Sequence, residues 1–191
     1  MNPVLFPVIV LGAVLLWLVL TYNGLVRIRQ HVRESWSGID TELKRRYDLI
    51  PNLVETVRAY AAHEREVLEG VTAARARAAA SQGDPESQAA DEKVLVQGLD
   101  RLLAVAEGYP ELKANENYLG LQLELANTED RIQAARRFFN ANVRDLNTRI
   151  EVFPSNLVAG WFGFEKAGFF EVESARVRQV VDVSFEKYDE K

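Results

Sequence analysis

The first 26 residues contain no charged side chain, and this feature constrains the fold more than any other. Residues Val4 to Leu20 are almost entirely Val, Leu, Ile, Phe and Ala, and the first charged side chain is that of Arg27. About 20 apolar residues at 1.5 Å each span the roughly 30 Å hydrocarbon core of a bilayer. Trp17 and Tyr22 stand where such a span would meet the headgroups, a position that favours amphipathic rings. We therefore predict that residues 1–26 form a transmembrane anchor.

Two other interpretations of this segment are a cleaved signal peptide and a helix buried in a protein core. A signal peptide begins with basic residues and ends at a small-x-small cleavage site after a shorter apolar run. No Lys or Arg precedes the run, and Thr-Tyr-Asn-Gly-Leu follows it at residues 21–25. A retained, single-pass anchor is therefore the favoured interpretation.

Basic residues follow the span, whereas none precedes it. Arg27, Arg29 and Arg33 all lie shortly beyond Leu20. Because positively charged flanks remain in the cytoplasm, we expect the N-terminus outside and the remaining body of the protein in the cytoplasm. Each of these arginines would also add about 1 kcal/mol of attraction to anionic headgroups.

The composition of the remaining chain excludes several kinds of site. A formal charge of −5 and a pI near 5.2 oppose nucleic-acid binding, and the absence of cysteine removes disulfides and thiolate chemistry. His63-Glu64 begins like a zinc-protease motif, but Val67 stands where the second histidine would be. Neither His31 nor His63 follows a glutamate by three residues, as a di-iron bundle requires. We expect no cofactor, no metal and no enzymatic activity; a hydrolase that uses carboxylates is the remaining enzymatic alternative.

Apolar residues beyond the span recur at steps of three and four, which is the spacing of helices. The first helix is predicted to run from the span to about Arg46. Pro51 disfavours helical geometry at Ile50, so it is predicted to begin a second helix. A turn cluster at residues 81–85 separates this helix from a third, which ends at Gly108.

The fourth predicted helix is the longest, from about Asn115 to Phe153, and Ser155 is placed to cap a short helix after it. The predicted fold class is all-α: a single N-terminal transmembrane helix continues into an elongated up-and-down (antiparallel) bundle of about four long helices plus a short C-terminal helix. Residues 27–170 form the cytoplasmic bundle and 171–191 a polar tail. The fourth helix would be about 58 Å long and the soluble part of the first only about 31 Å. The long helix is then either kinked or projects past its neighbours in an oligomer.

The direction of the helices predicts where an aromatic segment lies. Along an up-and-down path the second and fourth helices return to the membrane, so residues 153–170 emerge at its membrane-facing end. Aromatic rings there can lie in the headgroup layer or cap the open end of the bundle core, and both interpretations remain open. Phe169 and Phe170 belong to this segment. The candidate lipid contacts are Trp17, Tyr22, Arg27, Arg29, Arg33, Trp161, Phe162 and Phe164.

A dense polar run lies where the first predicted helix ends and the second begins. Three consecutive bases end a helix whose C-terminal dipole favours positive charge, and two further polar residues flank Pro51. Such residues are typical of an ordinary turn, but they also fit a partner-binding tip distal to the membrane. The candidate tip residues are Lys44, Arg45, Arg46, Asp48 and Asn52.

This run is one of several motifs that follow one another between about residues 20 and 165. In chain order they are Tyr22-Asn23-x-Leu25-Val26, Trp36-Ser37-x-Ile39-Asp40, Leu43-Lys44-Arg45-Arg46-Tyr47-Asp48-Leu49-Ile50-Pro51-Asn52-Leu53-Val54-Glu55, Tyr60-Ala61-x-His63-Glu64, Ala106-Glu107-x-Tyr109-Pro110-x-Leu112-Lys113-Ala114-Asn115, Thr128-Glu129-Asp130-Arg131-Ile132, Arg136-Arg137-Phe138-Phe139-Asn140 and Phe153-Pro154-Ser155-Asn156. Together they resemble the LemA family of bacterial membrane proteins. Beyond about residue 170 the resemblance is less clear.

The resemblance implies a single N-terminal helix in the bacterial inner membrane and an elongated cytoplasmic helical bundle. It transfers no catalytic residue, and some relatives are associated with the formation of bacterial membrane organelles. Our first hypothesis is a non-enzymatic, membrane-anchored scaffold that assembles with copies of itself and organises the cytoplasmic membrane face or membrane partners. The alternative is an adaptor or regulator of a membrane enzyme such as a protease, acting through residues 44–52. The expected partners are membrane lipids, further copies of the chain and, for an adaptor, a membrane protein; no nucleic acid is expected.

Overall fold

A computed structural model of the chain describes residues 5–81 and 84–172, and helices are the only regular elements within those residues. The helices are α1 (Leu5–Tyr60), α2 (Arg65–Ala80), α3 (Pro85–Glu107), α4 (Pro110–Lys113), α5 (Glu116–Glu151) and α6 (Ser155–Trp161). The all-α fold class and the single apolar N-terminal helix are thereby confirmed. The short α4, which lies in the connection between the third and fourth predicted helices, was not predicted.

Helix α1 contains both the apolar N-terminal segment and a large part of the bundle core. Its most apolar window has a mean hydropathy of 2.2, and α1 alone among the described helices is long and apolar enough to span a membrane. Beyond residue 24 one face is buried, at steps of three, four and seven residues. The first buried side chains on that face are Leu25, Ile28 and Val32. The helix runs without a break from the apolar segment into the bundle.

The predicted helix break at Pro51 is wrong, because α1 continues through this residue. A proline lacks the N–H that would bond to the carbonyl four residues earlier, here the carbonyl of Tyr47. The Nε atom of Arg75 in α2 donates to that carbonyl at 2.6 Å and so replaces the missing bond. Ile50 and Leu53 are each only 1% exposed, so packing also holds this part of α1 helical.

The chain reverses at residues 61–64 instead, where the sequence predicted a continuous helix. The backbone N–H of Glu64 bonds to the carbonyl of Ala61 at 3.1 Å and closes the turn. From Arg27 to Tyr60 the helix α1 is therefore about 51 Å long, close to the length of about 54 Å for α5. The predicted length mismatch came from the misplaced break, so neither a kinked long helix nor overlap within an oligomer is needed to explain it.

Two pairs of helices build the bundle. Helices α1 and α5 pack along each other and form the long axis, while α2 and α3 form a hairpin on the part of α1 that is distal to the apolar segment. The side chain of Asn115 accepts the N–H of Tyr118 at 3.1 Å and so caps α5. Its amide nitrogen donates to the hydroxyl of Tyr60, also at 3.1 Å. The end of α1 and the start of α5 therefore meet at the distal end.

Residues 165–172 form an extended segment, here called the strap, that runs back along α5. The side-chain amide of Asn147 both donates to and accepts from the backbone of Ala167, and that of Asn140 does the same with Phe170, at 2.9 to 3.1 Å. Seven helical residues rise about 10.5 Å and three extended residues about 10 Å, so the two spacings match. Phe170 is fully buried, with its ring centroid 5.4 Å from that of Trp36. The strap was not predicted, and the tail beyond residue 172 lies outside the described residues.

Candidate membrane-proximal site

Helix α6 lies beside α1 at the point where the apolar N-terminal segment ends. Leu25 is 1% exposed because Val158, Ala159 and Phe164 pack over it. The chain reaches this position because α5 returns along α1 and α6 follows after a turn of three residues. Trp161, Phe162 and Phe164 therefore lie at the end of the bundle predicted for the aromatic segment, whereas the prediction is wrong for Phe169 and Phe170, which run back along α5 with the strap.

The sequence left open whether the aromatic rings of this segment cap the core or face lipid, and the structure places some rings in the core and others at the surface. Phe164 is buried, and its ring centroid lies 5.9 Å from that of Tyr22, so this residue caps the core. Phe162 also packs on Tyr22, at 4.7 Å, but remains half exposed. Trp161 is 84% exposed. Phe170 belongs to the core beneath the strap and not to this surface.

The exposed rings belong to a larger apolar surface, here called the α6 surface. It consists of large hydrophobic side chains that are each about half exposed or more, namely Val152, Phe153, Leu157, Trp161 and Phe162. Contiguous exposed apolar groups on a soluble domain mark an interaction site or a membrane contact. The first three of these residues were not predicted; the step of four from Leu157 to Trp161 was a signal that these two share one side of α6.

Basic side chains surround the same end of the molecule. The guanidinium of Arg29 lies over the ring of Phe164, with 4.9 Å between its central carbon and the ring centroid. Arg27 and Arg33 are exposed on α1. Trp17 lies on the apolar part of α1 and is 38% exposed. All eight predicted lipid-contact residues thus lie on the apolar part of α1 or at this end of the bundle, and lipid contact itself stays a prediction.

The predicted partner-binding tip is not a turn, because its residues lie within α1. Lys44 and Arg45 are exposed and pair with Asp40 and Glu42 of the same helix, at 2.7 and 3.8 Å. Asp48 and Asn52 are also exposed. Arg46, in contrast, is 1% exposed and does not reach the surface. The five residues therefore divide into an exposed polar group on the side of α1 and one core residue.

Arg46 is the centre of a buried polar network that joins three helices. It pairs with Glu92 of α3, which is fully buried, and with Glu129 of α5 at 2.8 Å. The hydroxyl of Tyr47 donates to Glu92, and Gln88 donates to the same carboxylate at 3.0 Å. Burial raises the pKa of Tyr47 to about 12. Arg46 follows Leu43 by three residues and precedes Ile50 by four. This helical spacing already indicated that Arg46 faces the core.

The described residues contain no group of three or more His, Cys, Asp or Glu side chains arranged to hold a metal. His31 is exposed and lies 3.5 Å from Glu34. His63 lies in the exposed turn between α1 and α2. The carboxylates of Glu92 and Glu129 both form ion pairs with Arg46.

The fold and this surface define a helical protein in which a bundle is continuous with one N-terminal helix that has the length and apolarity of a membrane anchor. The profile of the LemA family matches residues 35–185, which is more than half of the chain. The chain belongs to the LemA family.

Curated relatives share about a quarter of their residues with the chain. "Magnetosome protein MamQ 2" of Paramagnetospirillum magneticum is 27% identical over 184 residues, covering 83% of this chain and 67% of the relative. "Magnetosome protein MamQ" of Magnetospirillum gryphiswaldense is 26% identical, covering 88% and 71%. "Protein LemA" of Metamycoplasma hominis is 26% identical over 181 residues, covering 95% and 82%. None of these names states an enzymatic activity.

Proposed function

We propose that the protein is a non-enzymatic, membrane-anchored helical scaffold. Residues 1–26 hold it as a single-pass protein in the bacterial inner membrane, and the bundle extends from the cytoplasmic face. The basic residues Arg27, Arg29 and Arg33 follow the apolar segment and support this orientation, because positive flanks remain in the cytoplasm. Two of the relatives are named magnetosome proteins, which is compatible with a role in organising a membrane.

The observation that carries the proposal is the position of the α6 surface. A span that ends near Leu20 places Tyr22 and Leu25 at the level of the headgroups, and α6 packs against both. The exposed side chains of Leu157 and Trp161 then lie at the bilayer surface, where aromatic rings with one polar edge are favoured. This contact would orient the bundle relative to the membrane and bury apolar groups that water otherwise surrounds.

A second group of exposed apolar side chains supports assembly with further copies. Leu119, Leu123 and Phe138 of α5 are 48%, 65% and 62% exposed. They lie away from the α6 surface, on the long helix that forms one edge of the bundle. Burial of such groups between copies is a driving force for association, and a shared membrane raises the local concentration of the copies.

The lipid contact is tested with the full-length chain in nanodiscs that contain lipids brominated near the headgroup. Bromine quenches the fluorescence of a tryptophan that touches it. We expect the contribution of Trp161, measured as the difference between wild type and Trp161→Phe, to be quenched. Trp36, which packs against Phe139 in the core, is the internal control and should be unaffected. An unquenched Trp161 contradicts the contact.

The assembly is tested by the mass and shape of the full-length particle in detergent. We expect a large, closed homo-oligomer, and we expect Leu123→Glu to reduce its size because the substitution places a charge on an apolar contact. Gln122→Glu adds the same charge at the neighbouring exposed position and serves as the matched control. A monomeric wild-type particle would contradict the scaffold.

The alternative function is an adaptor or regulator of a membrane enzyme such as a protease. It is favoured by the exposed polar side of α1, where Asp48 and Asn52 lie one helical turn apart with their side chains accessible. Photocrosslinking from position 52 in cells separates the two functions. One dominant different protein supports the adaptor, whereas recovery of copies of the chain itself supports the scaffold.

A further inference from the structure

Arg29 has an unusual environment for a basic residue next to a membrane anchor. Its guanidinium covers the ring of Phe164 at a distance typical of a cation–π contact. Its Nε atom is buried and has no hydrogen-bond partner among the described residues, and none of the ion pairs within those residues includes Arg29. A buried N–H without an acceptor costs free energy. Because the Nε atom is closed to solvent and the side chain as a whole is only partly buried, the terminal nitrogens of the guanidinium are the donors that can meet a ligand with acceptors.

The charge of the surrounding surface favours an anion. Residues 22–33 and 144–166 contain six basic and three acidic side chains, a net charge of +3, although the whole chain carries −5. Steps of four and seven residues return to the same side of a helix. Tyr22 and Arg33 therefore share the side of α1 that carries Arg29.

The contacts of Arg29 draw its guanidinium toward the level of the headgroups. The ring of Phe164, which the guanidinium covers, lies 5.9 Å from the ring of Tyr22, only two residues beyond the apolar run that ends at Leu20. Side chains of a helix lean toward its N-terminus, so the guanidinium lies closer to the apolar segment than its own Cα does. Each polar headgroup layer is about 5–8 Å thick, and Tyr22 falls within this distance.

We propose that Arg29 binds the phosphate of an anionic phospholipid in a site completed by Tyr22, Phe164 and Arg33. A guanidinium presents planar donors that match two phosphate oxygens, and the ring of Phe164 fixes its plane. The neighbouring α6 surface offers apolar contact to the acyl chains. This inference rests on the proposed membrane anchoring and adds the class of lipid and the residue that selects it.

The test uses the full-length chain in a mild detergent with equal amounts of phosphatidylglycerol and phosphatidylcholine, and retained lipids are counted by native mass spectrometry. Arg29→Lys keeps the charge but removes the planar donors. We expect it to lower the retention of phosphatidylglycerol about tenfold, the effect of losing a hydrogen bond between charged groups. Arg137→Lys is the matched control, because Arg137 is exposed on α5 outside the proposed site, and it should retain phosphatidylglycerol as the wild type does.

Equal retention by wild type and Arg29→Lys, or an equal loss in both lysine variants, would overturn the site. Competition with inorganic phosphate separates the two sources of the ligand: phosphatidylglycerol should remain bound, and its displacement by phosphate at equal concentration would overturn the choice of a lipid. Thermal unfolding curves of all variants show whether Arg29→Lys is still folded. Arg29→Gln is a second variant of the same residue and should lose phosphatidylglycerol as well.

This assay is independent of the tests of the scaffold. A monomer whose phosphatidylglycerol retention depends on Arg29 contradicts the assembly and supports the site. A closed assembly that retains this lipid equally in all variants contradicts the site and supports the assembly.

Discussion

The buried charged side chains at the centre of the bundle form ion pairs with one another. The side chains of Arg46 and Glu92 are 2% and 0% exposed, whereas that of Glu129 is one-third exposed. A buried ion pair adds little to stability by itself, but removal of one partner leaves an uncompensated charge in a medium of low polarity. The motifs that carry the family resemblance include Arg46, Tyr47 and Glu129, so part of that resemblance reflects how the core is assembled.

Removal of Glu92 alone should therefore be costly. We expect Glu92→Leu to lower the free energy of unfolding by about 3–5 kcal/mol because it leaves Arg46 with only its partly exposed partner. The double variant Arg46→Met, Glu92→Leu should recover a large part of this loss. Lys44→Ala, which breaks an exposed pair with Asp40, is the control and should cost less than about 1 kcal/mol. Denaturant unfolding measures all four proteins, and equal losses for Lys44→Ala and Glu92→Leu would contradict the argument.

The phenol of Tyr47 makes the stability sensitive to alkaline pH. Its pKa is raised by burial from 10.0 to about 12 in the folded protein, so above pH 10 the unfolded chain releases a proton that the folded chain retains. Stability is therefore complete below pH 10 and falls between pH 10 and 12, by about 3 kcal/mol from this group. Tyr47→Phe should remove this part of the pH dependence. A slope that is unchanged in Tyr47→Phe would contradict the assignment.

At the scale of elements, the length of α1 depends on a side chain from another helix. Pro51 removes one backbone hydrogen bond of α1, and Arg75 of α2 satisfies the carbonyl that is left. Arg75 is close to this carbonyl in space but 28 residues away along the chain. Rules that consider only the residues next to a proline therefore predicted a break in the helix. The actual reversal at residues 61–64 contains neither proline nor glycine, so no local signal identified it.

A double-mutant cycle tests this compensation. Arg75→Met should lower the free energy of unfolding by about 2 kcal/mol, since the carbonyl of Tyr47 loses its charged donor. In a Pro51→Ala background the restored N–H can bond to the same carbonyl, so the same change should cost close to nothing. Equal costs in the two backgrounds would show that Arg75 does not replace the missing bond. Arg77→Met, an exposed position on α2, controls for the loss of charge.

The strap is the second element whose position depends on tertiary contacts. Two asparagines of α5 satisfy its backbone, and the N–H groups of Ala167 and Phe170 should exchange slowly with solvent because of these bonds. In the double variant Asn140→Ala, Asn147→Ala we expect their hydrogen exchange to accelerate about fivefold or more. Asn142→Ala, which lies between them on α5, should leave the exchange rates unchanged. Unchanged rates in the double variant would mean that apolar packing alone holds the strap.

At the scale of the whole molecule, the bundle is an elongated body whose charge is unevenly distributed. One end joins the apolar helix and carries a net positive charge together with the α6 surface. Residues 34–143, which form most of the bundle, contain 13 basic and 19 acidic side chains, a net charge of −6. In the proposed orientation this distribution would attract the basic end to anionic headgroups and repel the rest from them, and the bundle would extend away from the bilayer.

Local patterns were sufficient to predict the helical class, the apolar N-terminal helix and the two C-terminal long helices. Asn115 as the approximate start of one helix and Gly108 as the end of another were predicted because helix termini are properties of a few neighbouring residues. The position of α6 and its aromatic rings beside the apolar segment also followed, since an antiparallel path requires only the number of helices, whereas Phe169 and Phe170 lie elsewhere. The misplaced break at Pro51 and the missed reversal at residues 61–64 left this number unchanged.

The tertiary structure alone decided which of these residues are available to a partner. Arg46 and Phe164 were predicted as contact residues at the surface, yet both are buried. Val152 and Leu157 are apolar residues of the kind that usually lie in a core, yet both are exposed. The apolar periodicity of a sequence predicts that one side of a helix is apolar, but the burial of that side depends on which other helix covers it. Where α5, α6 and the strap return against α1, they cover some apolar groups and leave others to face water or lipid.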